Sequence, residues 1–167
     1  MGKKQWIIMM ALVAMAGLVV SACSIDVERN PDGSLSATVH MTEASIQNEI
    51  EAALNDPLIK ELDVDLRAGY IFVSGVRKRI VGEETDLVTF RLDLGVSDGH
   101  LTATVSDFRV NGEPTEEEIV NIWNQRLAQR LENAGRRNPN SSLQSVRVTS
   151  EDITFVWRIE TDRSRGG

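Results

Sequence analysis

Two histidines and one cysteine are all that this 167-residue chain offers of the side chains that most often act as base or nucleophile near neutral pH. His100 closes the run Ser97-Asp98-Gly99-His100, which contains all three residue types of a hydrolase triad. Triad members must converge from separated backbone positions, and four consecutive residues instead suit a tight turn. His40 stands alone near a strand end and reads as a surface residue. Neither histidine has a second histidine or a cysteine at zinc-ligand spacing. Asp63 and Asp65 share one strand face and could bind calcium only with further carboxylates, so a solvated outer face is expected. Glu83-Glu84-Thr85-Asp86 reads as a solvated loop, and Glu116 to Glu118 suit the positive start of a helix. Phosphate-cradling glycine loops and nucleophile elbows are absent from the sequence. The inventory predicts no catalytic residue, no metal, no cofactor and no enzyme.

Cys23 carries a different chemistry. Lys3 and Lys4 precede fifteen uncharged, mostly apolar residues from Trp6 to Val20, and small residues follow. A cationic start, a short apolar core and small residues before a cut site make a secretory signal. A membrane-spanning helix needs about 20 apolar residues, so an uncleaved anchor fits less well. Val20-Ser21-Ala22-Cys23 resembles the lipobox of bacterial lipoproteins: aliphatic, small, small, cysteine. The resemblance implies diacylglycerol on the Cys23 thiol, cleavage before it, and a lipid-anchored protein facing the extracytoplasmic side of the cell membrane or outer membrane. Without the leader 1–22, the 18 basic residues lose Lys3 and Lys4; 16 remain against 25 acidic, a net charge of −9. That surface excludes sequence-independent nucleic-acid binding and a broad basic contact with anionic lipid. The covalent lipid, not surface charge, is expected to hold the protein at the membrane.

The 145 residues that follow the leader suit one domain. Residues 23–41 form a lipidated start followed by a hairpin about Asn30-Pro31-Asp32-Gly33 or by a tether, the alternation at Leu35, Ala37, Val39 and Met41 favouring a strand. A globular domain is expected over 42–161 and a disordered tail over 162–167. Thr42 can cap a helix over 43–55, with Ile46, Ile50 and Leu54 in one stripe and Asp56-Pro57 as its stop. Strands are predicted on either side of Ala68-Gly69 and of Asp98-Gly99, with a bulge near Ser106-Asp107. Thr115-Glu116-Glu117-Glu118 reads as a capping box for a helix reaching Ala134 and ending at Gly135. Its apolar face would be Ile119, Ile122, Trp123, Leu127 and Leu131, and two more strands follow about Val146 to Ile159. Helix, loop and hairpin recur at 43–76 and 115–160 as a weak repeat. The fold class expected is α+β: a single antiparallel, curved sheet with two long amphipathic helices.

Tyr70, Phe72, Phe90, Phe108, Phe155, Trp123 and Trp157 all fall on these elements. They suit an ordinary core, or a curved sheet wrapped on a helix with an apolar groove between them. The groove would be lined by Ile46, Ile50, Leu54, Phe90, Leu92, Trp123, Leu127, Phe155 and Trp157. The order of elements over 42–160 resembles small lipoproteins with tubular lipid-binding folds, akin to half of a bactericidal/permeability-increasing or synaptotagmin-like lipid-binding domain. That resemblance implies a lipid or other apolar ligand as partner. A protein partner in the cell envelope, with no small ligand, is the alternative.

Overall fold

A computed structural model describes residues 23–54, 59–79, 84–135 and 139–161. The leader expected over 1–22, the expected Asp56-Pro57 stop, Glu83 and the tail expected over 162–167 lie outside the described residues. The elements run β1 (Cys23–Arg29), β2 (Leu35–Thr42), α1 (Glu43–Leu54), β3 (Ile59–Arg67), β4 (Tyr70–Lys78) and β5 (Thr85–Ser97). Then follow β6 (His100–Val110), β7 (Glu113–Pro114), α2 (Glu117–Gly135), β8 (Ser141–Val148) and β9 (Asp152–Ile159).

The strands do not make one sheet, which overturns the expected α+β fold with a single sheet. Among the described residues 59% lie in strands, arranged as two antiparallel sheets with only two helices. One sheet has the order β1-β2-β9-β8 and the other β3-β4-β5-β6-β7. The cause is a long-range pairing: β2 joins β9 over eight register pairs, Leu35 with Ile159 through Thr42 with Asp152. This draws the first two and last two described strands into a sheet of their own and leaves the central hairpins to form the other. The helix–loop–hairpin repeat is split by the same pairing, its first hairpin in the five-stranded sheet and its second in the four-stranded one.

Residues 23–42 are a hairpin, Cys23 pairing with Met41 and Arg29 with Leu35. Its turn is fixed by Asp32, which accepts hydrogen bonds from the Ser34 backbone N–H (2.9 Å) and hydroxyl (2.7 Å). Asp98 and Gly99 both have positive φ (52° and 75°), the backbone of a two-residue hairpin turn. The expected bulge on β6 is present: Thr89 pairs with Arg109 but Arg91 with Ser106, and Asp107 takes the left-handed conformation (φ 48°).

Period-two alternation gives each sheet one apolar face. Ala37, Met41, Leu143, Val148, Ile153 and Phe155 are buried in the four-stranded sheet; Val64, Leu66, Ile71, Val73, Phe90, Leu92 and Val105 are buried in the other. All except Ala37 belong to one cluster that Ile46 of α1 completes, so a single core joins the sheets. The seam lies where β8 crosses two hairpin tips. Leu143 N–H donates to Gly99 O (2.7 Å), and Gly69 N–H donates to Val148 O (3.0 Å). On the outer face of the five-stranded sheet, Arg67 lies 4.6 Å from the Phe72 ring centroid and Arg91 4.2 Å from that of Tyr70.

The helices finish the five-stranded sheet. A sheet edge exposes unpaired N–H and C=O groups that must find partners when covered. Beside β3, Glu43 of α1 accepts from Leu66 N–H (3.0 Å) and Gln47 donates to Leu62 O (3.0 Å). Beside β6, Asn124 of α2 accepts from Val105 N–H (2.7 Å) and donates to Val105 O (3.0 Å). One side-chain amide thus replaces a residue of a missing strand.

Candidate functional site

The Asn124 contact fixes how α2 sits. Val120 and Leu127, spaced like Asn124 on one helical face, pack against the core. The predicted apolar face is therefore rotated: Ile119 and Ile122 are 42% and 43% exposed, and no residue of α2 is buried. Ile119, Trp123 and Arg126 form a second stripe that looks onto a cavity of about 370 Å³.

The cavity lies between α2 and the lower half of the five-stranded sheet. Its apolar wall is Leu62, Val88, Phe90, Phe108, Val110, Ile119 and Trp123. The rings form a continuous surface. Phe90 stacks on Phe108 with centroids 5.7 Å apart and planes 6° apart, and Phe108 meets Trp123 at 5.9 Å. The bulge at Asp107 makes this possible, because the extra residue returns Phe108 to the face that carries Val105 and Phe90. Gly75 completes the floor between Leu62 and Val88, where a side chain would otherwise enter the space.

The remaining lining is polar. Arg77 on β4 and Asp86 on β5 are register partners two rungs beyond Gly75 and Val88, and Arg126 lines the cavity from α2. Asp86, expected in a solvated loop, is a strand residue in a network. It accepts from Arg79 Nε (3.0 Å) and Nη2 (2.8 Å) and from Asn111 Nδ2 (2.8 Å). Arg79 first, then Asn111, hold its carboxyl below the usual carboxylate range. Thr115 is the second departure from expectation. Instead of capping α2, its hydroxyl lies in the cavity lining without a hydrogen-bond partner, and it is the sole buried side-chain polar atom so placed among the described residues. Such an orphan costs about 1–3 kcal/mol unless water or a ligand meets it. Glu116 supplies the first carbonyl of the helix instead, accepting from Ile119 N–H (3.0 Å).

Of the nine residues expected in a groove, Phe90 and Trp123 line the cavity. Ile46, Leu92 and Phe155 are buried in the core, while Ile50, Leu127 and Trp157 are half-buried against it. The side chain of Leu54 lies outside the described residues. Sequence reading missed Phe108 and Thr115 as cavity residues; the β6 bulge was the available signal for Phe108, while the capping-box pattern concealed Thr115.

The histidines are placed by structure. His40 Nδ1 lies 3.0 Å from Asp152 Oδ2 and 3.2 Å from Thr154 Oγ1. Both contacts fall on the same ring nitrogen, so His40 cannot relay a proton between carboxylate and hydroxyl as a triad histidine does. His40, followed by Thr149, keeps Asp152 below the usual carboxylate range. His100 packs at the end of α2, where a Cβ on Gly135 would stand 2.7 Å from its Nδ1. Asp65 is salt-bridged to Arg67 (2.8 Å) on the outer face. Among the described residues, no group of three or more His, Cys, Asp or Glu side chains could hold a metal, and no helix is long and apolar enough to cross a membrane.

No known protein family, curated protein or solved structure matches this chain.

Proposed function

We propose that this protein is a non-enzymatic lipoprotein, anchored through Cys23 on the extracytoplasmic side of a bacterial membrane, that holds a lipid or other apolar ligand between α2 and the five-stranded sheet. The observation that carries the reading is the aromatic-lined cavity of about 370 Å³. Ligand sites run from about 300 to 1,000 Å³ and are mostly apolar with a few placed polar groups, and this one sits at the small end of that range. The resemblance to tubular lipid-binding lipoproteins rests on the order of elements over 42–160 and is consistent with such a ligand. Native mass spectrometry of unlipidated residues 24–167 should detect a co-purifying lipid. After delipidation, the protein should take up a fluorescent fatty acid; a delipidated protein that takes up neither fatty acid nor phospholipid would refute the reading.

A second reading is favoured by β1. It is the edge strand of its sheet, and Ile25 and Val27 are 46% and 41% exposed. Such an edge is suited to strand addition by a protein partner in the envelope. Crosslinking from the membrane-tethered protein should then trap one partner through β1, with no lipid bound.

A further inference from the structure

We infer that the open edge of β1 takes one kind of partner: an extended protein segment in which apolar residues alternate with lysine or arginine. This rests on the strand-addition reading of β1 and names the partner's chemistry. The other sheet edges are met by hydrogen bonds. Glu43 and Gln47 meet β3, Asn124 meets β6, and β8 bonds across the hairpin tips at Gly99 and Gly69. Every residue of β1 from Ser24 to Arg29 is exposed, and no described residue outside β2 hydrogen-bonds to the strand. A strand paired on one side only turns the N–H and C=O of every second residue away from its neighbour, free for another strand.

The two faces of β1 set what that strand must carry. Ile25 stands opposite Val39, with Phe155 next on β9; Val27 stands opposite Ala37, with Trp157 next. These apolar rows run outward from the core and stop at the edge, where Ile25 and Val27 are left largely uncovered. Asp26 and Glu28 lie on the other face, opposite the neutral Thr38 and Ser36. Farther along that face, Arg158 is already bonded to Asp32 and Glu160, and His40 to Asp152. Arg29 has the parity of Ile25, and Asp26 and Glu28 have no ion-pair or hydrogen-bond partner among the described residues. An added strand extends both faces when it places apolar side chains opposite Ile25 and Val27 and cations opposite Asp26 and Glu28.

The same carboxylates turn a second copy away. Symmetric antiparallel pairing over all seven residues of β1 sets Asp26 against Asp26, and the register centred on Val27 sets Asp26 against Glu28 twice. Like charges directly opposite destabilise a strand pair, whereas opposite charges stabilise it.

The test uses the full chain in zwitterionic detergent and follows hydrogen exchange of residues 24–29 by mass spectrometry. Three peptides as long as β1 are added: lysine alternating with valine, glutamate alternating with valine, and the lysine–valine composition rearranged into a lysine block and a valine block. The alternating patterns are palindromes, so they serve either strand direction. The alternating lysine–valine peptide should slow exchange across β1 roughly tenfold more than the other two, since two facing pairs change from repulsive to attractive. D26K/E28K, on exposed side chains, should reverse the preference toward glutamate–valine with the urea midpoint unchanged. I25T/V27T should weaken protection severalfold. Equal protection by the lysine and glutamate peptides, equal protection by the block peptide, or a lysine preference unchanged in D26K/E28K would overturn the partner's assigned chemistry and leave strand addition standing. Protection of β1 in the protein alone, rising with its concentration, would assign the edge to a second copy and overturn the proposal. No protection by any peptide would overturn the proposal and strand addition at β1 together.

Discussion

Replacing Asn124 with leucine removes the two hydrogen bonds by which α2 closes the edge of β6, with little change in side-chain size. Val105 is only 5% exposed, so neither its N–H nor its C=O readily finds water when the amide is gone. A buried polar group stripped of its partner costs about 1–3 kcal/mol, and two such groups with partial relaxation come to roughly 3 kcal/mol. For a domain of this size, that loss lowers the melting temperature by about 10 °C. Urea denaturation followed by far-UV circular dichroism measures the stability. Hydrogen exchange of the Val105 amide reads the local event, and its protection should fall further than that of Val73 in the centre of the sheet. Asn124→Asp separates the two bonds, because a carboxylate still accepts from Val105 N–H but places negative charge against Val105 O. An N124L protein within about 0.5 kcal/mol of the parent, with Val105 still protected, would refute the claim that this amide closes the sheet.

Four further outcomes follow from the same geometry. Gly75→Leu should fill the cavity floor and abolish fatty-acid uptake while the circular dichroism spectrum stays unchanged; undiminished uptake would mean the ligand sits elsewhere. Gly99→Ala forces a left-handed residue to carry a side chain whose Cβ meets Ser142 Cβ at 3.0 Å, whereas Gly112→Ala meets nothing within 4 Å. Each should lose about 1–2 kcal/mol from backbone strain, with G99A the less stable of the pair in urea unfolding. Asp32 is held at about 2, chiefly by the Ser34 hydroxyl and N–H and then by Arg158. Because its folded value is depressed below the ordinary 3.8, its contribution is full above pH 4 and lost as pH falls toward 2, which carbon-detected NMR of its carboxyl should show as a late titration. If the proposed anchor is right, Cys23→Ala should release the protein from the membrane fraction, since two acyl chains would provide anchoring that an acidic surface does not; an unchanged membrane fraction would refute it.

Several elements were legible because their signals are local. The stripe Ile46, Ile50 with Thr42 ahead of it marked α1, and Thr42 Oγ1 does accept from Ser45 N–H at 3.4 Å. Asp98-Gly99 declared its turn, and the parity change between Val105 and Phe108 declared the bulge. The division into two sheets had no local signal. β2 and β9 are more than a hundred residues apart, and every strand presents the same alternation, so nothing in β2 itself says which strand lies beside it. The site was half visible for the same reason. Phe90 and Trp123 announced themselves by size, but Asn124 acts through a partner on β6 that the helix sequence does not show, and Thr115, just ahead of the helix, follows local capping statistics until the sheet is in place.

The pairing of β2 with β9 also sets the order in which the molecule can be made. The hairpins from β3 to β6 join strands that are neighbours in sequence, so their contacts close short loops and form early. The sheet that begins at Cys23 needs its third and fourth strands from the last part of the chain, and it closes only when β8 and β9 have been delivered. Under the proposed lipoprotein reading, a chain exported amino terminus first would complete the end nearest its anchor last. On that reading Ile25 and Val27 would stand beside the membrane surface until then without the finished sheet behind them, and secretion would have to keep them from other partners.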